Sequence, residues 1–376
     1  MEPCHSAFTK MHGPETSGRA MPIPSRWSTL LLLIAACPLL ASGGKSANDL
    51  SDLALRLAQK HGIRAVGFAV LSGHAISQTG FVSCCEQKPP PDSDPVFQAA
   101  SLGKPVFAYG ILKLAKDGRL DLDRPLLSYL PDGYLHRRNP FAIRQAPTTD
   151  LVAASDLSLV TARMVLSHTS GLPNWSNENL SFAFRPGTSW GYSGEGFMLL
   201  QKVAERITGE AIDRLMRRLI FEPLKMTSSE FRWSPAVSAR LVPGTSASGQ
   251  PRQLRFPETI VPSSLYTTAG DYARFITALL ADAEILRLTT TAPVTVDGRL
   301  GLEWGLGWGL ERGGDGLNLW HWGSNPGYRS FVMVSVKSGN GIVILTDSER
   351  GLAVAEPLVD TVLPGHHNAF RFQMLR

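Results

Sequence analysis

The sequence predicts an α/β (α+β) fold in which one antiparallel sheet is flanked by helices and joined to a mostly helical subdomain. Three observations carry that prediction. Two short apolar runs, residues 65–71 and 75–81, are split by Ser72-Gly73-His74, and their length and glycine-containing break mark a β-hairpin. From residue 120 to about 262 the chain reads as helices and irregular connections. Strand-like runs then follow at 317–323, 330–337 and 342–346, with Ser338-Gly339-Asn340-Gly341 as a hairpin turn. Neither set of strands can bury a face alone, so the two must share one sheet.

The helices follow from period and punctuation. Residues 49–61 carry Leu50, Leu53, Leu55, Leu57 and Ala58, an amphipathic pattern. A long helical pattern runs from about 101 to 116 and stops at Asp117-Gly118, glycine being the expected residue just past a helix end. Residues 195–207 and 211–220 are the clearest helices of the middle section, 271–282 is another, and 352–362 closes the chain.

Composition excludes several classes. The 376 residues are 43% hydrophobic and 18% charged, whereas disorder requires low apolar content and high net charge. The 35 glycines and 26 prolines follow no triplet period, which removes collagen. A net charge of +5 with no dense Lys/Arg run argues against a nucleic-acid partner.

Arg26 precedes an apolar run at 29–41, and Ser42, Gly43 and Gly44 follow it. That is the pattern of a secretory signal peptide, and Pro38 and the short length set it apart from a membrane span of roughly 20 residues. Residues 1–43 are therefore read as a leader, with Met21 as an alternative start. Residues 44–376 are read as one domain, its sheet at about 62–82 and 300–347 and its helical subdomain at about 118–262. The expected location is the periplasm or cell envelope. Ile34-Ala35-Ala36-Cys37 has the look of a lipobox, so lipidation of Cys37, a membrane tether, is the alternative to cleavage near Ala41. Beyond Cys4 and Cys37 only the adjacent Cys84-Cys85 remain, and neighbouring cysteines rarely bond each other. With no Cys/His metal spacing, neither a metal nor another cofactor is expected.

Two serine motifs compete for the role of nucleophile. Ser101-Leu102-Gly103-Lys104 is an S-x-x-K. On a helix, residues three apart share a face, so the amine can sit beside the hydroxyl and, if buried, accept its proton. Pro105 requires the helix to start at Ser101 or just after, because proline is tolerated only in the first turn. The tetrapeptide recurs at Ser42-Gly43-Gly44-Lys45, and Ser101 alone is equally a helix N-cap. Gly187-Thr188-Ser189-Trp190-Gly191 matches G-x-S-x-G, but no apolar strand precedes it and no helix follows directly.

Six ordered segments separate the two. They are 99–104, Leu166-Ser167-His168-Thr169-Ser170-Gly171-Leu172-Pro173, 186–193, 265–271, Gly305-Leu306-Gly307-Trp308-Gly309 and His321-Trp322-Gly323-Ser324-Asn325-Pro326-Gly327. In these the chain resembles the class C β-lactamase and penicillin-binding-protein-like serine hydrolases, a family that also holds esterases and D-amino-acid peptidases. The resemblance implies a β-lactamase/transpeptidase-like fold and hydrolysis of an ester or amide through a serine acyl-enzyme. It implies Ser101 as nucleophile, Lys104 as its proton partner and Tyr192 as the tyrosine of a Y-x-N motif, held as phenolate near the lysine. His321 and Gly323 fall where many members carry K-T-G, glycine letting a substrate backbone approach the strand. Backbone N–H groups of Ser101 and Ser324 are the implied oxyanion donors.

The chain departs from the pattern twice. Gly194 replaces the asparagine of Y-x-N, and His321 replaces a lysine, a weaker anchor for a substrate carboxylate. An esterase or peptidase-like hydrolase of a small-molecule or peptide substrate is therefore expected. The alternatives are a true β-lactamase or D-alanyl-D-alanine carboxypeptidase, and a catalytically silent envelope protein. Among other candidates, His168 is read as turn-stabilising, Asp271 as a helix cap and Glu195 as a helix-start acid with a second reading as substitute for the lost amide. Trp304, Trp308, Trp320 and Trp322 fit an aromatic cleft or a core equally well.

Overall fold

The computed structural model describes residues 47–84, 94–142, 146–314 and 316–375, so the leader-like segment with Cys37, and Cys85, lie outside the described residues. Helix α1 (Ala47–His61) buries Leu50, Ala54 and Ala58, a seam at i, i+4 spacing, and packs on the hairpin β1 (Ala65–Ser72) and β2 (Ala75–Ser83). The short buried strand β3 (Phe97–Ala100) leads into α2 (Gly103–Lys116), whose end is followed by Gly118 at φ +70°. The middle section holds a two-stranded ribbon, β4 (Tyr134–Arg137) with β5 (Thr149–Val152), which the sequence reading did not anticipate. Its helices are α3 (Ala162–Leu166), α4 (Glu195–Thr208), α5 (Ile212–Met216) and α6 (Pro235–Arg240). The helix expected over 211–220 continues from α5 as a wider turn, Arg217–Phe221.

Strand β6 (Leu265–Thr267) pairs with β3 in a separate two-stranded sheet that packs on the main one. Helix α7 (Ala269–Ala281) is followed at once by α8 (Ala283–Thr290). Asp282 separates them, and its carboxylate accepts from the Ile285 backbone N–H at 3.1 Å. The sheet then resumes with β7 (Val294–Asp297), β8 (Leu302–Trp304), β9 (Gly309–Gly313), β10 (Gly316–Asn325), β11 (Tyr328–Ser335) and β12 (Gly341–Thr346), before α9 (Ala355–Val362).

Among the described residues, the eight-stranded antiparallel sheet has the order β2-β1-β12-β11-β10-β9-β8-β7. The early hairpin and the late strands do share it, with β1 against β12 from Val66↔Thr346 to Leu71↔Gly341. The late group is larger than expected: β7, β8 and β9 are short and mix charged, glycine and tryptophan residues, so they carry no apolar run.

Both faces of the sheet are covered, which is why β12 is apolar throughout and buried along its whole length. Trp320, Trp322, Phe331, Met333 and Ile344 face α1 and α9. Leu319, Val332, Val334 and Val343 lie in the larger core that α2, α4 and α7 fill. Each fully buried aliphatic side chain of this kind contributes roughly 1.5–3 kcal/mol.

Candidate active site

Ser101, the expected nucleophile, stands where β3 turns into α2. Ala100 has φ +52°, a left-handed conformation that an L-residue avoids and that tertiary packing must hold. The next residues form a tight turn, with Leu102 N donating to Ala99 O at 3.1 Å and Lys104 N to Ser101 O at 3.0 Å. Helix α2 starts at Gly103, so Pro105 falls in the first turn as its chemistry requires. Ser101 is half-buried and Lys104 fully buried.

Their side chains meet: Lys104 Nζ is 3.1 Å from Ser101 Oγ. The Pro262 carbonyl accepts from Lys104 Nζ at 3.0 Å and from Ser101 Oγ at 3.2 Å. Burial pushes the Lys104 amine well below its usual range, and no acidic neighbour counters it. The shift favours the neutral amine, the form that can accept the Ser101 proton.

Tyr192 completes the group. Its loop is fastened at Gly191, whose N–H donates to His168 O at 2.8 Å, and at Ser193, whose N–H donates to His168 Nδ1 at 3.1 Å. Lys104 Nζ lies 4.6 Å from the centre of the Tyr192 ring. The phenol hydroxyl is buried beside Ser101. Burial raises its pKa above the ordinary range, and nearby Ser101 offsets this only in part. That direction favours the neutral phenol over the phenolate that the sequence reading expected.

Strand β10 brings the remaining residues. It is an interior strand, but β9 stops pairing with it at Trp320, so His321–Asn325 present an open edge. His321 Nδ1–H donates to Trp322 O at 2.8 Å, and burial above all lowers the ring pKa to about 3. His321 is neutral and fully buried.

A Cβ on Gly323 would lie 2.2 Å from both Ala99 O and Ser330 Oγ. The glycine therefore lets β10 approach β3, the strand that leads to Ser101, a steric requirement separate from the substrate approach expected from the sequence. Ser324 and its partner Arg329 point to the opposite face from Gly323 and Ser330, so Ser324 offers the site its backbone alone. Gly323→Ala is expected to destabilise the fold by about 3 kcal/mol through overpacking against backbone. Urea titration of the variant checks this.

Gly194 is buried beneath the Tyr192 loop. A Cβ there would lie 2.6 Å from Asn174 O and 2.7 Å from the Trp175 ring, leaving no room for an asparagine. The Pro262 carbonyl supplies the polar contact to Lys104 instead. Glu195 does not substitute for the lost amide either. It is buried, accepts from Ser176 N–H at 3.0 Å and lies 3.4 Å from His136 Nε2, whose Nδ1 is 2.7 Å from Asp150. Burial alone would lower the His136 pKa; hydrogen bonds to the two carboxylates outweigh it and raise it. Asp271 is not the cap of α7. Thr268 Oγ1 caps that helix by accepting from Asp271 N–H, and the Asp271 carboxylate accepts from Ser228 N–H at 2.8 Å and Ser229 Oγ at 2.9 Å.

His168 lies nearer the chemistry than its reading as a turn residue suggested. It is fully buried at φ +58°, its ring 4.4 Å from that of Tyr192, and burial lowers its pKa. The tryptophans are core: Trp304, Trp308 and Trp320 are almost wholly buried, and Trp322 stacks at 5.0 Å on Tyr192. Ser189 of the rejected motif is exposed in a loop. The Pro262 carbonyl and the strained Ala100 had no sequence signal, since neither depends on side-chain type.

The pattern of the family described as Beta-lactamase matches residues 50–361. Penicillin-binding protein 4* of Bacillus subtilis is 24% identical over 78% of this chain and 70% of its own length. The lovastatin esterase of Penicillium rubens is 28% identical over 53% of this chain and 59% of that protein. Among solved structures, the D-alanine carboxypeptidase AmpC of Burkholderia cenocepacia superposes with a TM-score of 0.69 at 18% identity. That superposition covers 85% of this chain and 99% of that one.

Proposed function

Because the chain belongs to the beta-lactamase family and is a serine hydrolase, we propose that it cleaves uncharged carboxylic esters through an acyl-enzyme on Ser101. The observation that carries this reading is His321: at the position where a cation would hold a substrate carboxylate, the ring is buried and neutral. The esterase among its relatives supports the same substrate class.

In the proposed sequence the Lys104 amine takes the Ser101 proton as Oγ bonds to the ester carbonyl carbon. The tetrahedral oxyanion accepts from the backbone N–H groups of Ser101 and Ser324. The C–O bond to the alcohol then breaks, and the alkoxide receives the proton from Lys104 directly or by way of the Tyr192 hydroxyl. Water attacks the acyl-enzyme with Lys104 again as base, releasing the carboxylic acid and restoring the Ser101 hydroxyl.

Parallel kinetics on a chromogenic acyl ester and a chromogenic cephalosporin test the substrate class. The ester is expected to show kcat/KM at least about 100-fold higher, because nothing at His321 compensates for desolvating the cephalosporin carboxylate. Faster turnover of the cephalosporin would establish the β-lactamase reading instead. Export to the cell envelope is proposed on the segment around 26–44 alone, and cell fractionation checks it.

A further inference from the structure

We infer that the C-terminal segment 363–375 holds the Tyr192 loop against the sheet, with Phe372 as a positioning residue for acyl transfer. This rests on the role proposed above for Tyr192. The segment is anchored at one point by a buried carboxylate. Glu311 on β9, almost wholly inaccessible, accepts through Oε1 from the backbone N–H groups of Asn368 and, at 3.4 Å, Ala369. Its Oε2 lies 3.4 Å from His367 Nδ1, while His367 Nε2 donates to Leu363 O at 2.8 Å. Asn368 Nδ2 donates to Leu300 O at 3.0 Å. A carboxylate accepting at the start of the short helical turn 368–371 satisfies its free N–H groups, which fixes where the chain goes next.

What comes next is aromatic. Phe370 packs on Phe331 with ring centres 4.7 Å apart, and Phe372 is buried among Trp190, Trp320 and Trp322 at 5.9, 5.6 and 5.7 Å. Trp190 belongs to the loop that carries Tyr192, whereas Trp320 and Trp322 belong to β10, which carries His321. Phe372 is thus a wedge between the two elements that the site must hold in register. Two of these rings lie beside that of Tyr192, Trp322 with ring centres 5.0 Å apart and Trp190 at 6.4 Å. The indole N–H groups of Trp190 and Trp320 are buried without hydrogen-bond partners. Packing alone therefore sets these rings, and emptying the wedge leaves no directional contact to keep them in place.

The test compares Phe372→Ala, Phe372→Leu and Glu311→Gln with Tyr192→Phe, using a chromogenic ester and rates normalised to the Ser101 sites that a fluorophosphonate titrates. Phe372→Ala is expected to lower kcat about tenfold with KM changed less than about twofold, since small misplacements of a reacting group act mainly on kcat. Phe372→Leu should recover most of the rate. Glu311→Gln, which loosens the anchor without touching the aromatic rings, should lower kcat as well and shift tryptophan fluorescence to the red together with Phe372→Ala. Unchanged kcat per titrated site in both Phe372→Ala and Glu311→Gln, with Tyr192→Phe impaired, overturns the positioning role alone. Full rate in Tyr192→Phe overturns the role of the phenol and the positioning role with it.

Discussion

Ser101→Ala is expected to lower ester hydrolysis by about 10⁴-fold or more, the scale on which removal of an attacking group acts when the rest of a site remains. Stability should change by less than about 1 kcal/mol. The hydroxyl is only half-buried, and its removal leaves the Pro262 carbonyl with its second donor, Lys104 Nζ, at 3.0 Å. Intact-protein mass spectrometry after exposure to an ester provides a second readout: the acyl adduct and fluorophosphonate labelling should both disappear. Retained hydrolysis would place the nucleophile elsewhere, whereas a wild-type protein that never labels would establish the silent binding protein.

Lys104→Met should remove about 10³-fold from kcat/KM, the upper part of what a positioned base supplies. The variant should also make the protein more stable, and increasingly so at lower pH. The sign follows from proton uptake. Burial depresses the folded pKa of Lys104 below its unfolded value, so between the two values the unfolded chain carries a proton that the folded chain lacks. Wild-type stability therefore rises with pH through that window, by about 1.4 kcal/mol per pH unit from this one group. Methionine keeps the volume and removes the dependence. Denaturant titrations of both proteins at pH 6 and 8 should diverge most at pH 6. The same ionisation predicts that wild-type kcat/KM rises with pH on an acid limb governed by Lys104, and that limb should be missing from the residual activity of the variant. A variant less stable than wild type at pH 6 would show that the buried amine is charged.

The S-x-x-K motif was legible because its geometry is local. Three residues of helix bring the amine over the hydroxyl, and Pro105 fixes where the helix starts. The hairpin β1–β2 and strands β10 to β12 were legible for a similar reason, being continuous apolar runs bounded by turns. Strands β7, β8 and β9 were not, because their stability comes from neighbours in the sheet and from tryptophans buried on one face. Asp271 looked like a helix cap because caps are identified by residue type and position. The adjacent Thr268 competes for that place, and only the position of Ser228 and Ser229 shows what the carboxylate does.

The amino-acid sequence by itself determined the family, the mixed fold, the adjacency of Ser101 and Lys104 on one helix turn, and the two positions, 194 and 321, where the pattern is broken. It could not determine charge state or clearance. Burial by residues from distant parts of the chain removes the water that would stabilise ions at Lys104, Tyr192 and His321, and so favours the neutral form of each. Gly323 is required because Ala99, more than two hundred residues earlier, passes too close for a side chain. Phe372 meets Trp190, Trp320 and Trp322 just after the point where Glu311 of β9 holds the chain at Asn368 and Ala369. Desolvation and steric approach are sums over everything packed around a group, so they exist only once the tertiary structure has formed.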